Sequence, residues 1–257
     1  MVSLAEDLTL ALDRVAFAEK LGITPDAWQA DLLRSEASRM LLNCSRQSGK
    51  STISGVLALH RALYYPESLV LVLAPSERQS KELFAKVAGF YRELGRPVPA
   101  HGERKLSLEL ENGSRIITLP GTEKTIRGFS GAALLLVDEA ARVDDALYHA
   151  VRPMLAVSGG RLLMLSTPFG KRGAFYEEWT NGASGASSGS WERFRVTADE
   201  CPRIPEAFLE EERASLPGWV YRQEYECSFE ETEDQVFTTE MVESAVTSEV
   251  KPLFGGG

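Results

Sequence analysis

Short runs of unbroken apolar residues alternate along this chain with longer stretches of helical periodicity. Residues 40–43, 68–74, 132–137 and 161–165 are such runs. A strand buried on both faces of a parallel sheet reads this way, as a continuous apolar segment. Between these runs, residues 53–63, 77–94 and 144–156 carry the spacing of helices. Strand, helix, strand, helix is the order of an α/β fold. Residues 106–110 and 115–119 instead flank the turn pair Asn112-Gly113, which predicts an antiparallel hairpin at the sheet's edge. Near the start, Leu4, Leu8, Leu12 and Val15 recur at helical spacing and predict one amphipathic helix within residues 1–22. Thr24-Pro25-Asp26 then signals a second helix start.

The pattern changes after the fourth apolar run. Residues 181–190 are rich in Gly, Ser and Ala and predict a long surface loop or linker. Residues 122–131 predict a second polar, glycine-bearing surface loop. Residues 191–196 alternate and suggest one more strand, and 208–216 and 219–226 predict two helices around Pro217-Gly218. The organisation expected is a core over residues 1–200 and an acidic helical lid or linker subdomain over 201–257.

Composition refines this picture. With 257 residues, 44% hydrophobic and 25% charged, the chain has globular proportions. No apolar run is long enough to cross a bilayer as a helix, and residues 1–20 lack the basic start of a signal peptide. Cys44, Cys201 and Cys227 show no metal spacing and are odd in number, which fits a reducing compartment. His60, His101 and His149 are scattered and read as structural or solvated. The net charge is −9, but residues 1–200 hold 24 basic and 24 acidic residues, against 4 and 13 in residues 201–257. The acidic excess therefore sits in the tail, and the neutral core can still carry a basic strip for a nucleic-acid backbone.

Two stretches carry the candidate chemistry. The first is Ser45-Arg46-Gln47-Ser48-Gly49-Lys50-Ser51-Thr52, directly after an apolar run and before a helix. It matches the second half of a phosphate-binding loop, G-x-x-x-x-G-K-[ST]. Gly49 lets the backbone approach an anion, Lys50 reaches the β- and γ-phosphates, and the Ser51 hydroxyl suits Mg²⁺. The helix start adds free N–H groups and a positive dipole end. Cys44 stands where the first glycine is usual. The second stretch is the strand ending in Asp138-Glu139. At the carboxyl edge of an open sheet, Asp138 suits the Mg²⁺ shell and Glu139 suits polarising a water against a γ-phosphate. Ser166-Thr167-Pro168 leaves the next strand and could report the state of a nucleotide. Trp28-Gln29 could pack and read an adenine edge, or could be a buried Trp beside a polar neighbour.

Taken in order, Trp28-Gln29, Ser45 to Ser51, Thr125-x-Arg127-Gly128, Leu134 to Ala140, Ser166-Thr167-Pro168 and Tyr225-x-Cys227-x-Phe229 resemble the ATPase domain of tailed-bacteriophage terminase large subunits. The resemblance covers nearly the whole chain, and a loop carrying Arg-Gln in place of glycines is characteristic of that family. It implies a P-loop fold of the strand–catalytic-glutamate class, with a mostly parallel central sheet flanked by helices. It implies ATP and Mg²⁺ as ligands, Trp28 and Gln29 at the adenine, Ser166 and Thr167 in coupling, and Glu139 in catalysis. Arg127 is then the candidate for an arginine that reaches a neighbouring subunit's ATP, with Arg46 its rival acting in cis. The implied partners are sequence-independent double-stranded DNA, further copies in a ring expected to be pentameric, a portal protein and a small terminase subunit. The implied location is the host cytoplasm, with transient docking on the viral procapsid. The C-terminal nuclease of that family has no counterpart here, so nuclease activity is not expected. Two other readings stay open: a helicase- or remodeller-like translocase, and a nucleotide-gated DNA-binding module with little turnover.

Overall fold

A computed structural model describes residues 3–119, 128–181, 191–231 and 241. Eight strands form a single sheet: β1 (Arg39–Cys44), β2 (Leu69–Leu73), β3 (Ala100–Arg104), β4 (Ser107–Leu110), β5 (Arg115–Leu119), β6 (Ala132–Asp138), β7 (Arg161–Ser166) and β8 (Glu192–Val196). Their spatial order is β3-β4-β5-β2-β6-β7-β1-β8. Every pairing from β5 to β8 is parallel, and the β3-β4 and β4-β5 pairings are antiparallel. The four apolar runs are the four central strands, as their unbroken hydrophobicity requires.

The pleat sorts these strands into two cores. Successive side chains point to opposite faces. Leu42, Val70, Val72, Leu134, Leu136 and Leu163 face one layer. That layer is built on α2 (Arg14–Lys20), α3 (Ala27–Arg34), α4 (Lys50–Tyr64) and α5 (Glu77–Glu93). Leu41, Leu71, Leu73, Leu135, Val137 and Leu162 face the other, with α6 (Asp145–Val151) and α7 (Gly173–Asn181). Two further helices, α8 (Glu206–Ser215) and α9 (Gly218–Tyr225), form a small cluster around Leu209, Tyr221 and Tyr225. No described helix is long and apolar enough to cross a membrane.

Several expectations change. The N-terminal segment is two helices, α1 (Leu4–Leu12) and α2, because Asp13 leaves helical geometry and its side chain caps the N–H groups of Val15 and Ala16. The stripe of Leu4, Leu8 and Leu12 points outward, and α1 buries Leu10 instead. The helix expected over 144–156 ends at Val151, and a 3-10 turn follows at Arg152–Leu155, where Pro153 cannot supply an N–H. The hairpin forms, and the Asn112 amide donates to the carbonyls of Ala62 (2.9 Å) and Leu63 (3.2 Å), closing the C-terminal end of α4. The linker expected over 181–190 lies outside the described residues beyond Asn181.

Candidate nucleotide site

Parallel register brings the functional strand ends to one edge. Asn43 pairs with Ser166 across β1 and β7, and Asp138 pairs with Leu165 across β6 and β7. The loop after β1 turns through Gln47 (φ 61°) and Gly49 (φ 90°), and α4 begins at Lys50. Glycine is required at position 49 because a Cβ there would lie 2.8 Å from Gln29 Nε2 and 3.3 Å from Arg203 Nη2.

The loop is also tied to the far end of the chain. The Ser45 N–H donates to the Val196 carbonyl (2.9 Å) and the Arg46 N–H to the Glu224 carbonyl (3.1 Å). The Arg46 guanidinium pairs with the Glu224 carboxylate. The Asn43 amide donates to the Cys227 carbonyl (2.9 Å). Ser48 offers its carbonyl to Arg203 Nη2 (2.7 Å) and Gln29 Nε2 (3.4 Å), while Arg203 also pairs with Asp26 (2.7 Å).

Lys50, Asp138, Glu139 and Thr167 converge. Lys50 Nζ donates to Thr167 Oγ1 (3.2 Å) and lies 3.4 Å from Glu139 Oε1. Ser51 Oγ donates to Asp138 Oδ2 (3.4 Å). Glu139 sits in left-handed backbone geometry (φ 51°), unusual for a residue with a side chain, and its N–H donates to Asp138 Oδ1 (3.0 Å). Arg142 Nη1 lies 3.4 Å from Glu139 Oε2, and its guanidinium stacks on the Phe169 ring at 4.4 Å. Burial first, and the Glu139 charge second, push the Asp138 carboxyl up to about 6. A buried acid in this condition, beside a serine hydroxyl at a helix start, fits Mg²⁺, which takes one or two carboxylates plus substrate phosphates. No group of three His, Cys, Asp or Glu residues among the described residues could form an all-protein metal cage.

Lys50, Ser51, Glu139, Arg142 and Thr167 open onto a cleft of about 1190 Å³, while Asp138 is buried and not on its wall. Its walls include Arg46, Gln47, Gly49, Lys50, Ser51, Thr52, Glu139 and Thr167 from the expected set. Arg78, Lys86, Arg142 and Arg203 also line it, against the carboxylates of Glu82 and Glu139, so an acidic protein presents a cleft with an excess of basic side chains. That charge suits a polyphosphate.

The remaining expected residues fall elsewhere. Ser45 is buried beneath the loop, as is the Ser48 side chain. Ser166 is buried and its hydroxyl donates to the Thr167 carbonyl (2.7 Å), leaving Thr167 as the member that meets Lys50. Trp28 packs against the core and Gln29 is buried, and neither lines the cleft. Arg127, with the rest of the polar loop over residues 120–127, lies outside the described residues. Arg142, Arg203, Phe208 and Glu224 are additions that no local motif announces. The one hint for Arg203 is compositional, since it is among only four basic residues in the acidic tail.

Comparison with known proteins agrees with this geometry. The family model described as terminase large subunit, T4-like-virus type, N-terminal, matches residues 41–244. The large terminase subunit of Thermus virus P23-45 is 29% identical over 253 residues, covering 86% of this chain and 52% of that protein. That of Escherichia phage T5 is 28% identical, covering 85% and 51%. The chain thus spans about half the length of the curated relatives it matches. Among solved structures, the Thermus phage P74-26 large terminase ATPase domain superposes with TM-score 0.72 at 26% identity, covering 83% of this chain and 97% of that one. The large terminase of a thermophilic bacteriophage, solved with ADP, shares the fold at TM-score 0.64 and 14% identity, covering 82% and 52%.

Proposed function

The chain belongs to the terminase large subunit family, T4-like-virus type, N-terminal, and we propose that it is the ATP-hydrolysing part of a motor that drives double-stranded viral DNA into a procapsid. The observation that carries this reading is the convergence of Lys50, Glu139 and Thr167 on the wall of one cleft at the mouth of α4, with Asp138 buried beside Ser51. A non-hydrolysing nucleotide switch has no use for the strained carboxylate of Glu139 beside the phosphate loop.

The chain's own groups divide the work. The N–H groups at the start of α4, its dipole and Lys50 hold the β- and γ-phosphates. Ser51 and Asp138 would hold Mg²⁺, which, when bound, neutralises charge on the phosphates. Lys50 and Arg142 both contact Glu139, so a γ-phosphate that draws Lys50 away leaves the carboxylate free to orient a water for in-line attack. Thr167 shares Lys50 with Glu139, so the strand end of β7 senses the same exchange. The Arg46–Glu224 pair ties the phosphate loop to α9, giving hydrolysis a route to the helical cluster. Arg127 of a neighbouring copy is assigned to stabilise charge on the transferring phosphoryl group, a role worth roughly 10³–10⁵ in turnover.

In this reading the chain works as a ring, expected to be pentameric, docked on a portal protein at the procapsid in the host cytoplasm. A small terminase subunit is a further partner. DNA is gripped through its backbone, without sequence preference. ATP turnover by Lys50→Ala and Glu139→Ala variants, with and without double-stranded DNA, tests the assignment, and full activity in either would sink it. Mixing Arg127→Ala with Lys50→Ala chains tests the action in trans. Recovery of turnover in the mixture is the expected result, and none in a mixture shown to assemble would exclude it.

A further inference from the structure

The Glu139 carboxylate is held by two cations. Lys50 Nζ lies 3.4 Å from Oε1, and Arg142 Nη1 lies 3.4 Å from Oε2. Lys50 stands at the start of α4, where a bound phosphate draws it, so Arg142 is the contact the carboxylate keeps. Arg142 ends the 3-10 turn Ala140–Arg142, and its own N–H donates to the Glu139 carbonyl (2.8 Å). Backbone and side chain of Arg142 thus both return to Glu139. An ion pair between solvated side chains contributes little. Here the two side chains are only 27% and 23% exposed, and the guanidinium is fixed by a further contact.

That contact is the ring of Phe169, in the segment that leaves β7. Arg142 Cζ lies over the ring at 4.4 Å from its centroid, and Arg172 Cζ lies over the same ring at 5.7 Å, both within cation–π range. Thr167, two positions earlier in the same segment, accepts from Lys50 Nζ at its Oγ1 (3.2 Å). The segment after β7 therefore touches both cations that hold Glu139: Thr167 meets Lys50, and Phe169 meets Arg142. A guanidinium can stack on a ring and pair with a carboxylate at once, which an ammonium on a flexible stem does poorly.

We propose that Arg142 is a positioning residue for hydrolysis: stacked on Phe169, it holds the Glu139 carboxylate in place on the cleft wall once Lys50 turns to the phosphates. This rests on the reading of Glu139 as the group that orients the attacking water. The segment after β7 then bears on that carboxylate through two cations, one shared with the nucleotide and one not. Arg142 also lines the cleft, so a direct hold on the phosphates is the competing role.

Equilibrium titration of the chain with ATP, beside its ATP turnover in the presence of double-stranded DNA, separates the two roles. Misplacing a catalytic group costs up to about 10²-fold, so Arg142→Ala should lower kcat about 10–100-fold while the Kd for ATP stays within about threefold. Phe169→Leu keeps an apolar side chain but removes the ring, and should lower kcat about threefold or more at an unchanged Kd. Phe169→Tyr, which restores a ring, should recover most of the parental rate. In a Glu139→Ala background no carboxylate is left to position, so adding Arg142→Ala should slow the residual turnover by less than about twofold. A role confined to folding slows both backgrounds alike, so equal losses would overturn the proposal. Parental kcat in Arg142→Ala would overturn it too, as would a rise in Kd that matches the fall in kcat, which would make Arg142 a ligand of the phosphates. Full turnover in Glu139→Ala alone is a different result, and removes the reading of Glu139 on which the proposal rests.

Discussion

Asp138 should make the fold less stable, and removing its charge should make the protein more robust while disabling it. The carboxyl ordinarily ionises near 3.8, and burial beside Glu139 raises it to about 6. Between these values the folded chain holds a proton that the unfolded chain releases, so this group's contribution to stability falls as pH rises. Above about pH 7 the whole cost applies, and the gap from 3.8 to about 6 corresponds to about 3 kcal/mol. At pH 5 the same relation leaves roughly half of this, and well below 3.8 it leaves nothing. Asp138→Asn keeps the shape and the acceptor for the Glu139 N–H. At about 2–4 °C per kcal/mol for a chain of this size, the variant should melt up to about 6–12 °C higher at pH 8. The gain should shrink steadily towards pH 4, while ATP turnover is lost at every pH. Thermal unfolding of both proteins across pH 4–9, without divalent cations, measures this. Adding Mg²⁺ and nucleotide should narrow the difference by stabilising the parent chain alone. A variant that melts lower at pH 8, or a gain that does not change with pH, would refute the reasoning.

Three other outcomes follow from contacts described above. Glu139→Gln releases Lys50 and Arg142 from a carboxylate about 3.4 Å away. It should lower kcat by about 10²–10⁴, yet bind ATP several-fold more tightly in a titration, since the phosphates no longer compete for those cations. Gly49→Ala puts a methyl against Gln29 and Arg203 in left-handed geometry, so it should cost about 2–4 kcal/mol in denaturant unfolding and weaken tripolyphosphate as much as ATP. His60, whose Nε2 lies 3.1 Å from the Leu10 carbonyl, has its pKa lowered from 6.5 to about 4 by burial. The unfolded chain therefore takes up a proton first as pH falls, stability is lost between about pH 6.5 and 4, and His60→Gln should flatten that slope in pH-dependent melts.

The central sheet was legible because burial on both faces leaves an unbroken apolar run, a signal that needs no partner to be read. The phosphate loop and Asp138-Glu139 were legible because their chemistry is local in sequence. Strand β3 was not, because Ala-His-Gly-Glu-Arg at a half-exposed edge carries neither apolar runs nor alternation. The Leu4, Leu8 and Leu12 stripe misled for the opposite reason. Spacing identifies a face of a helix, but what lies opposite decides whether that face is inside. Arg203 and Glu224 escaped because their meaning depends on a loop more than 150 residues earlier in the chain. Gln29 shows a further limit. Its residue type suits a base, and only the structure shows that its amide also meets the Asp26 N–H and the Ser48 carbonyl.

The ties from Ser45 to Val196, Arg46 to Glu224 and Asn43 to Cys227 bear on how the chain is made. Synthesis runs from the N-terminus at about 5–20 residues per second, so the phosphate loop is made roughly 7–35 seconds before residues 196–227 exist. Until then β1 lacks its β8 neighbour, and the loop's amides and Arg46 have no protein partner. Contacts so distant in sequence close late, because the loop entropy of closure is spent before they return any stability. The phosphate loop is therefore completed only once β8 and α9 have been made.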